Sequence, residues 1–220
     1  MNTMTSLKES LERVKKAGAK KLPAEIKENM ARATKELTES AIAKGLQAGE
    51  KAPNFTLKNA IREEITLYEQ LQSGPVVLLF YRGEWCPYCN LELQAYQQMT
   101  PQFRESGIQI LAISPETPDH SLSVKEKHTL SFEVLSDPTR QVINNYKLLF
   151  QLPDYLVETY QKAGIDLKEY NMKDDAWHLP VPATYIIAPD GTIDYVEADP
   201  DYTSRMEPQK ALERAQRLKR

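Results

Sequence analysis

Cys86 and Cys89 are the only cysteines in the 220-residue chain, and they stand three apart in Trp85-Cys86-Pro87-Tyr88-Cys89. Two thiols within one helical turn, with none elsewhere, suit the making and breaking of a single S–S bond. Residues 75–81 before them form an apolar run of strand length, and residues 91–99 after them continue as a helix. The pair is therefore predicted to sit where a buried strand ends and a helix begins. Only a thiolate attacks a peroxide or a disulfide, and a free thiol is mostly protonated near neutral pH. At a helix start, unpaired N–H groups and the positive end of the dipole favour a negative sulfur. Pro87 suits the first helical position because it has no N–H to leave unpaired. Cys86 is thus the predicted exposed, low-pKa nucleophile, and Cys89 the thiol that resolves it to an intramolecular disulfide.

Two plainer readings compete: half of a zinc site, or a pair of inert core thiols. The chain has no second CxxC, and His120, His128 and His178 lack the spacing of a zinc finger. Neither a metal nor an organic cofactor is called for, since sulfur can carry both electrons itself. Net charge is −3, which gives no global attraction for nucleic acid or an anionic membrane. Residues 1–51 carry eleven Lys/Arg and seven Glu, a balance of +4 that leaves −7 on the remainder. Interleaved signs of this kind mark solvated helix faces. There is no secretory signal pattern and no apolar run long enough to span a bilayer, so a cytoplasmic location is expected. In that compartment a lone CxxC points to catalysis more than to structure.

The elements that must hold the pair can be read in outline. Residues 1–47 form a helical extension, with Leu7, Leu11 and Val14 on one stretch, a break at Gly18 and Pro23, and Ile26, Met30, Ala33, Leu37 and Ala41 on a second. That narrow apolar stripe packs either on its own chain or on the same helices of a second subunit, giving a homodimer. Residues 48–220 form the second unit. Strands are predicted at 53–57, 65–67, 75–81, 108–113, 132–135, 183–188 and 192–196, the last two joined by the turn Pro189-Asp190-Gly191. Helices are predicted over 86–105 with a break near Thr100-Pro101, over 118–129, over 139–147 with Asp137 as N-cap, over 153–163, and from Glu207. Arg140 reads as a surface residue. Alternating strands and helices with a closing hairpin indicate an α/β fold, a mixed sheet covered on both faces.

Residues 49–57, 80–89, 112–115, 135–138 and 185–191 together resemble, in the right order, the alkyl hydroperoxide reductase/thiol-specific antioxidant (AhpC/TSA) family of peroxiredoxin-like proteins. The resemblance runs from residue 48 to about 206 and implies a thioredoxin-like fold, with Cys86 where the family keeps its peroxide-attacking cysteine. The pattern departs from typical members at three positions. Gly83 replaces the hydroxyl residue, Leu79 the proline, and Pro182 stands near the family's arginine. Val181-Pro182-Ala183-Thr184 is instead similar to thioredoxin-type disulfide reductases, which imply a cis proline beside the sulfur, and Cys-Pro-Tyr-Cys is similar to glutaredoxins. Arg82, four residues before Cys86, is the candidate thiolate-stabilising charge, and Trp85 the candidate shield against water. Trp177 and His178 precede the Pro182 loop and could face the sulfurs.

These features imply a thiol peroxidase that reduces hydroperoxides through Cys86, with Cys89 resolving. The external thiol donor would be thioredoxin, a glutaredoxin or glutathione. A dithiol–disulfide oxidoreductase acting on disulfide substrates is the alternative, and a redox sensor that binds a partner through the helical extension is a third.

Overall fold

The computed structural model describes residues 6–218. Its strands are β1 (Thr56–Asn59), β2 (Glu64–Thr66), β3 (Val76–Phe80), β4 (Gln109–Ser114), β5 (Glu133–Ser136), β6 (Leu149–Gln151), β7 (His178–Pro180), β8 (Ala183–Ile187) and β9 (Ile193–Ala198). Seven of them make one sheet in the order β2-β1-β5-β4-β3-β8-β9, while β6 and β7 form a separate ribbon. β3 pairs parallel with β4 and β4 with β5, whereas β1, β8 and β9 run antiparallel to their neighbours. All five residues of β3 are buried, as an unbroken apolar strand at the centre of a sheet covered on both faces requires.

The pleat sorts alternate residues of β3 and β4 into two cores. Val77, Leu79, Ile110 and Ala112 pack with Leu93, Tyr96 and Phe103 of α4 (Pro87–Glu105), Val124 of α5 (Pro118–Lys127) and Leu212 of α8 (Pro208–Arg217). Leu78, Phe80, Leu111 and Ile113 pack on the other face with Leu67 and Leu71 of α3 (Leu67–Leu71) and Ile143 of α6 (Gln141–Asn145). A third cluster gathers Leu156 and Tyr160 of α7 (Asp154–Lys162) with Leu152, Leu167 and Leu179. The fold is the predicted α/β, thioredoxin-like architecture.

Several local expectations are corrected. The N-terminal extension forms α1 (Leu7–Lys21) and α2 (Ala24–Glu39), and α1 runs through Gly18 without a break. A single glycine costs a helix only about 1 kcal/mol, and the interruption falls only at Leu22-Pro23, where Pro23 was expected to make it. The arm is not detached. Leu7 and Leu11 are buried, α1 packs on α4, and α2 packs on α7 with Met30 and Ala33 against the third cluster. The stripe predicted to meet either its own body or a second subunit is thus covered by its own chain. Nor does α4 break at Pro101. The proline lies on its exposed side, where only the bond to the Gln97 carbonyl is forgone, and the Thr100 hydroxyl donates to the Tyr96 carbonyl at 3.0 Å.

Asp137 does cap α6, but from further upstream than predicted. The N-cap position belongs to Arg140 at φ 59°, and the buried Asp137 carboxylate accepts the Ile143 N–H at 2.9 Å. Arg140, expected on the surface, is 6% exposed.

Candidate active site

β3 ends at Phe80, and the loop 81–86 turns the chain into α4, with Cys86 at the N-cap and Pro87 at the first helical position, as predicted. The Cys86 N–H donates to the Gly83 carbonyl at 3.1 Å, and its own carbonyl accepts the Asn90 N–H at 3.1 Å. Gly83 has φ 152°, and a Cβ there would come within 2.6 Å of Glu116 Oε1 and 2.7 Å of Trp85 Cδ1. The hydroxyl side chain that typical family members carry has no room here. Glu116, itself buried, holds the loop by accepting the Glu84 N–H at 2.9 Å. Burial raises its carboxyl well above the ordinary range.

Both thiols are reduced, and both are buried: Cys86 is 1% exposed and Cys89 0%. This corrects the expectation of an exposed Cys86. The physical reason is that the loop folds under aromatic cover. Trp85 packs edge-on to Tyr160 at 5.7 Å, and Tyr88 edge-on to Tyr202 at 5.7 Å. Arg82 lies inside that cover, 3% exposed, with its guanidinium 4.7 Å from the Trp85 ring centroid and 4.3 Å from that of Tyr202. Its Nη2 donates to the Tyr160 hydroxyl, and its backbone N–H points at Cys89 Sγ, 3.4 Å away.

A second guanidinium comes from a part of the chain that sequence reasoning passed over. Arg205 Nη2 is 3.5 Å from Cys89 Sγ, and its Nε donates to Glu92 Oε2 at 2.8 Å. The Arg205 and Glu92 side chains are only 2% and 1% exposed, and Arg205 is further held by the carbonyls of Tyr202 and Ser204. Glu92 had a readable signal, a carboxylate at the buried spacing Cys89, Leu93, Tyr96 on α4. Arg205, 116 residues beyond Cys89, had none.

Electrostatics separates the two sulfurs. Burial alone would raise the Cys86 thiol, but a hydrogen bond with Cys89 and the charges of Arg82 and Arg205 outweigh it and lower the group to about 6. Burial, the hydrogen bond with Cys86 and the charge of Cys86 all push Cys89 well up. Near neutral pH the arrangement therefore holds one thiolate and one thiol in contact. Glu92 is raised to about 7, chiefly by burial and against the opposing pull of Arg205.

Of the residues singled out from the sequence, Arg82, Trp85, Cys86 and Cys89 come together. Pro182 lines a cavity with Arg82, Tyr160 and Tyr202. Its peptide bond is trans, and no cis bond occurs among the described residues, which corrects the reductase-like expectation. Trp177 packs against the third cluster and is not among the residues of the core cluster that holds the cysteines. No group of three or more His, Cys, Asp or Glu among the described residues could hold a metal ion. No helix among them is long and apolar enough to cross a membrane.

Residues 48–196 match the AhpC/TSA family. A putative peroxiredoxin, bcp, of Coxiella burnetii is 31% identical over 104 residues, covering 47% of this chain and 68% of that protein. The thiol-disulfide oxidoreductase ResA of Bacillus thuringiensis is 25% identical over 132 residues, covering 59% and 74%. Other peroxiredoxin relatives are spanned over only 62% of their length. Among solved structures, peroxidoxin BcpB from Mycobacterium tuberculosis superposes with a TM-score of 0.61 at 20% identity, covering 80% of this chain and 99% of that one. A family match over two thirds of the chain, the same fold and a paired-thiol site agree: the chain belongs to the AhpC/TSA family and is a peroxiredoxin-like oxidoreductase.

Proposed function

We propose that the chain reduces hydroperoxides through Cys86, with Cys89 as the resolving thiol. The Cys86 thiolate attacks the terminal peroxide oxygen, the O–O bond breaks, and the departing alkoxide or hydroxide takes up a proton, leaving Cys86 as a sulfenic acid. The Cys89 thiol then attacks the Cys86 sulfur. An S–S bond forms, and the sulfenic hydroxyl leaves as water with the Cys89 proton. An external dithiol or thiol, such as thioredoxin, a glutaredoxin or glutathione, returns two electrons and two protons. The observation that carries this reading is the convergence of two buried guanidiniums, Arg82 and Arg205, on adjacent sulfurs of which one is lowered to about 6. Their roles are division of labour: Arg82 and Arg205 hold the thiolate and the charge developing on the leaving oxygen, Trp85 excludes water, and Pro182 shapes the approach.

The test is oxidation of the reduced Cys89→Ser variant with hydrogen peroxide in the presence of a sulfenic-acid trap. An adduct on Cys86, formed at least about tenfold faster than on free cysteine, supports the assignment; no adduct there counts against it. A second reading, reduction of disulfides, is favoured by the ResA relatives and by the CPYC spacing. Capture of a stable mixed disulfide on Cys86 of Cys89→Ser, without any peroxide consumption, would put that reading first.

A further inference from the structure

Glu84, two residues before Cys86, ties the loop 81–86 to three separate parts of the molecule. Its N–H donates to Glu116 Oε1 just beyond β4 at 2.9 Å, and its carbonyl accepts from Asn90 Nδ2 of α4 at 2.8 Å. Its carboxylate Oε1 lies 2.6 Å from Nδ1 of His120, in the first turn of α5. The next bond along the loop is the one from the Cys86 N–H to the Gly83 carbonyl, so Glu84 and Cys86 are placed by the same turn.

The other face of His120 decides which proton matters. Nε2 is 2.9 Å from the carbonyl of Glu169, at the end of the 3-10 turn Leu167–Glu169, and the ring packs 5.0 Å from that of Tyr170. A carbonyl only accepts, so Nε2 keeps its hydrogen in every state that preserves this contact. The proton at stake is the one between Nδ1 and Glu84. While it is present, the ring is bonded on both sides. Once it is gone, Nδ1 turns a lone pair toward a carboxylate 2.6 Å away, and the contact becomes repulsive. The Glu169 side of the joint is held independently, because the Thr117 N–H donates to the Tyr170 carbonyl at 3.2 Å and Glu116 bridges to Asn171. Glu84 and its loop are therefore the side that yields.

We propose that His120 is a positioning residue for Cys86, a proton-dependent clasp that holds Glu84 and the loop 81–86 at low pH and releases them as pH rises. Histidine changes charge between about pH 5 and 8, and the pair is partly open to solvent, with the His120 and Glu84 side chains 28% and 16% exposed. The first turn of a helix is a poor place for a lone cation, so the charged ring depends on Glu84. Of the other groups around the clasp, Glu116, Tyr170 and His128 lie within electrostatic reach of Glu84, Glu169 within that of Tyr170, and Lys127 within that of His128. Asp119, beside His120, is paired with Arg62 at 3.5 Å. The claim concerns where Cys86 is held and stands whether that sulfur attacks a peroxide or a disulfide.

The experiment follows the ¹H–¹⁵N NMR spectrum of the Cys86→Ser/Cys89→Ser protein, in which no thiol titrates, across the histidine range, together with the His120 ring carbon signals. The amide signals of Glu84 and of position 86 should shift with the same midpoint as the His120 ring. Amide exchange at position 86, corrected for its intrinsic pH dependence, should quicken by about threefold or more above that midpoint, the scale of one partly exposed ion pair. Both changes should vanish when His120→Gln is added, and again, independently, with Glu84→Gln, with far-UV circular dichroism confirming the fold of each. Loop amides that stay still while the His120 ring titrates, or that titrate equally in both variants, would overturn the clasp. So would a His120 ring whose signals do not change in that range.

Discussion

At the scale of single residues, the account rests on how unlike charges are arranged around two like sulfurs. Two thiols in contact share one favourable place for a negative charge. The guanidiniums of Arg82 and Arg205 supply it, and Cys86 takes it. Replacing Arg205 with Gln should raise the Cys86 thiol by about one unit or more, the usual effect of removing a nearby opposite charge. It should also destabilise the protein, because Glu92 is then left buried without its partner, a loss of about 3–5 kcal/mol when such a pair is broken. The pH profile of Cys86 alkylation and a urea melt measure the two effects separately. The double variant Arg205→Met/Glu92→Met should recover most of the stability but none of the thiolate shift. Full recovery of a low Cys86 titration in that variant would show that Arg205 is not what holds the charge. The placement of Cys86 was legible at this scale because strand, N-cap and Pro87 are neighbours in sequence. Arg205 was not, because its meeting with Cys89 is created only when β8, β9 and the segment beyond them fold back over α4.

At the scale of elements, the loop between β3 and α4 explains why this chain departs from its family's usual motif. Gly83 stands at a backbone conformation that disfavours side chains, with Trp85 and Glu116 occupying the space a Cβ would need. Restoring the family's hydroxyl by Gly83→Thr should therefore not improve peroxide reduction. It should cost stability, about 2 kcal/mol or more, and displace Trp85, read as a lowered thermal midpoint together with a shifted tryptophan emission. A Gly83→Thr variant with unchanged stability and faster turnover would contradict this reading of the loop. The glycine was visible in the sequence as an absence of hydroxyl, but the reason for it lies in Glu116, 33 residues on. The β6–β7 ribbon escaped prediction for a similar reason. Leu149-Phe150-Gln151 is too short to show a period, and its partner ends at Pro180. By contrast, the central strands β3, β4 and β8 were readable because burial on both faces demands largely apolar runs.

At the scale of the whole molecule, the N-terminal arm joins the body rather than extending from it. Its first helix is anchored at both levels: Ser6 and Glu9 make a capping box, and the Glu207 carboxylate accepts the N–H groups of Leu7 at 3.3 Å and Lys8 at 2.7 Å. A carboxylate at a helix N-terminus is favourable there through both hydrogen bonds and the dipole. Glu207→Ala should loosen α1 by about 1 kcal/mol, seen as faster amide exchange over α1 while the strands of the main sheet keep their protection. Uniform exchange across arm and sheet would show that the arm does not open on its own. The amphipathic stripe on α2 was legible as a stripe, but not what it covers. A sequence shows that Met30, Ala33 and Leu37 need a partner surface without showing that Arg82 and Tyr202 lie on it.

The most direct test of the account is the pH dependence of Cys86 oxidation by hydrogen peroxide in the Cys89→Ser variant, followed by mass spectrometry of the trapped sulfenic acid. A thiol lowered in the folded protein is reactive above its own titration point and loses reactivity as pH falls through it. The rate should therefore rise through a midpoint near 6, or somewhat higher since Cys89 no longer donates its hydrogen bond as a thiol. It should be flat by pH 8. A rate still climbing through pH 9, or an oxidised protein carrying no adduct on Cys86, would contradict the claim that this sulfur is held as the attacking anion.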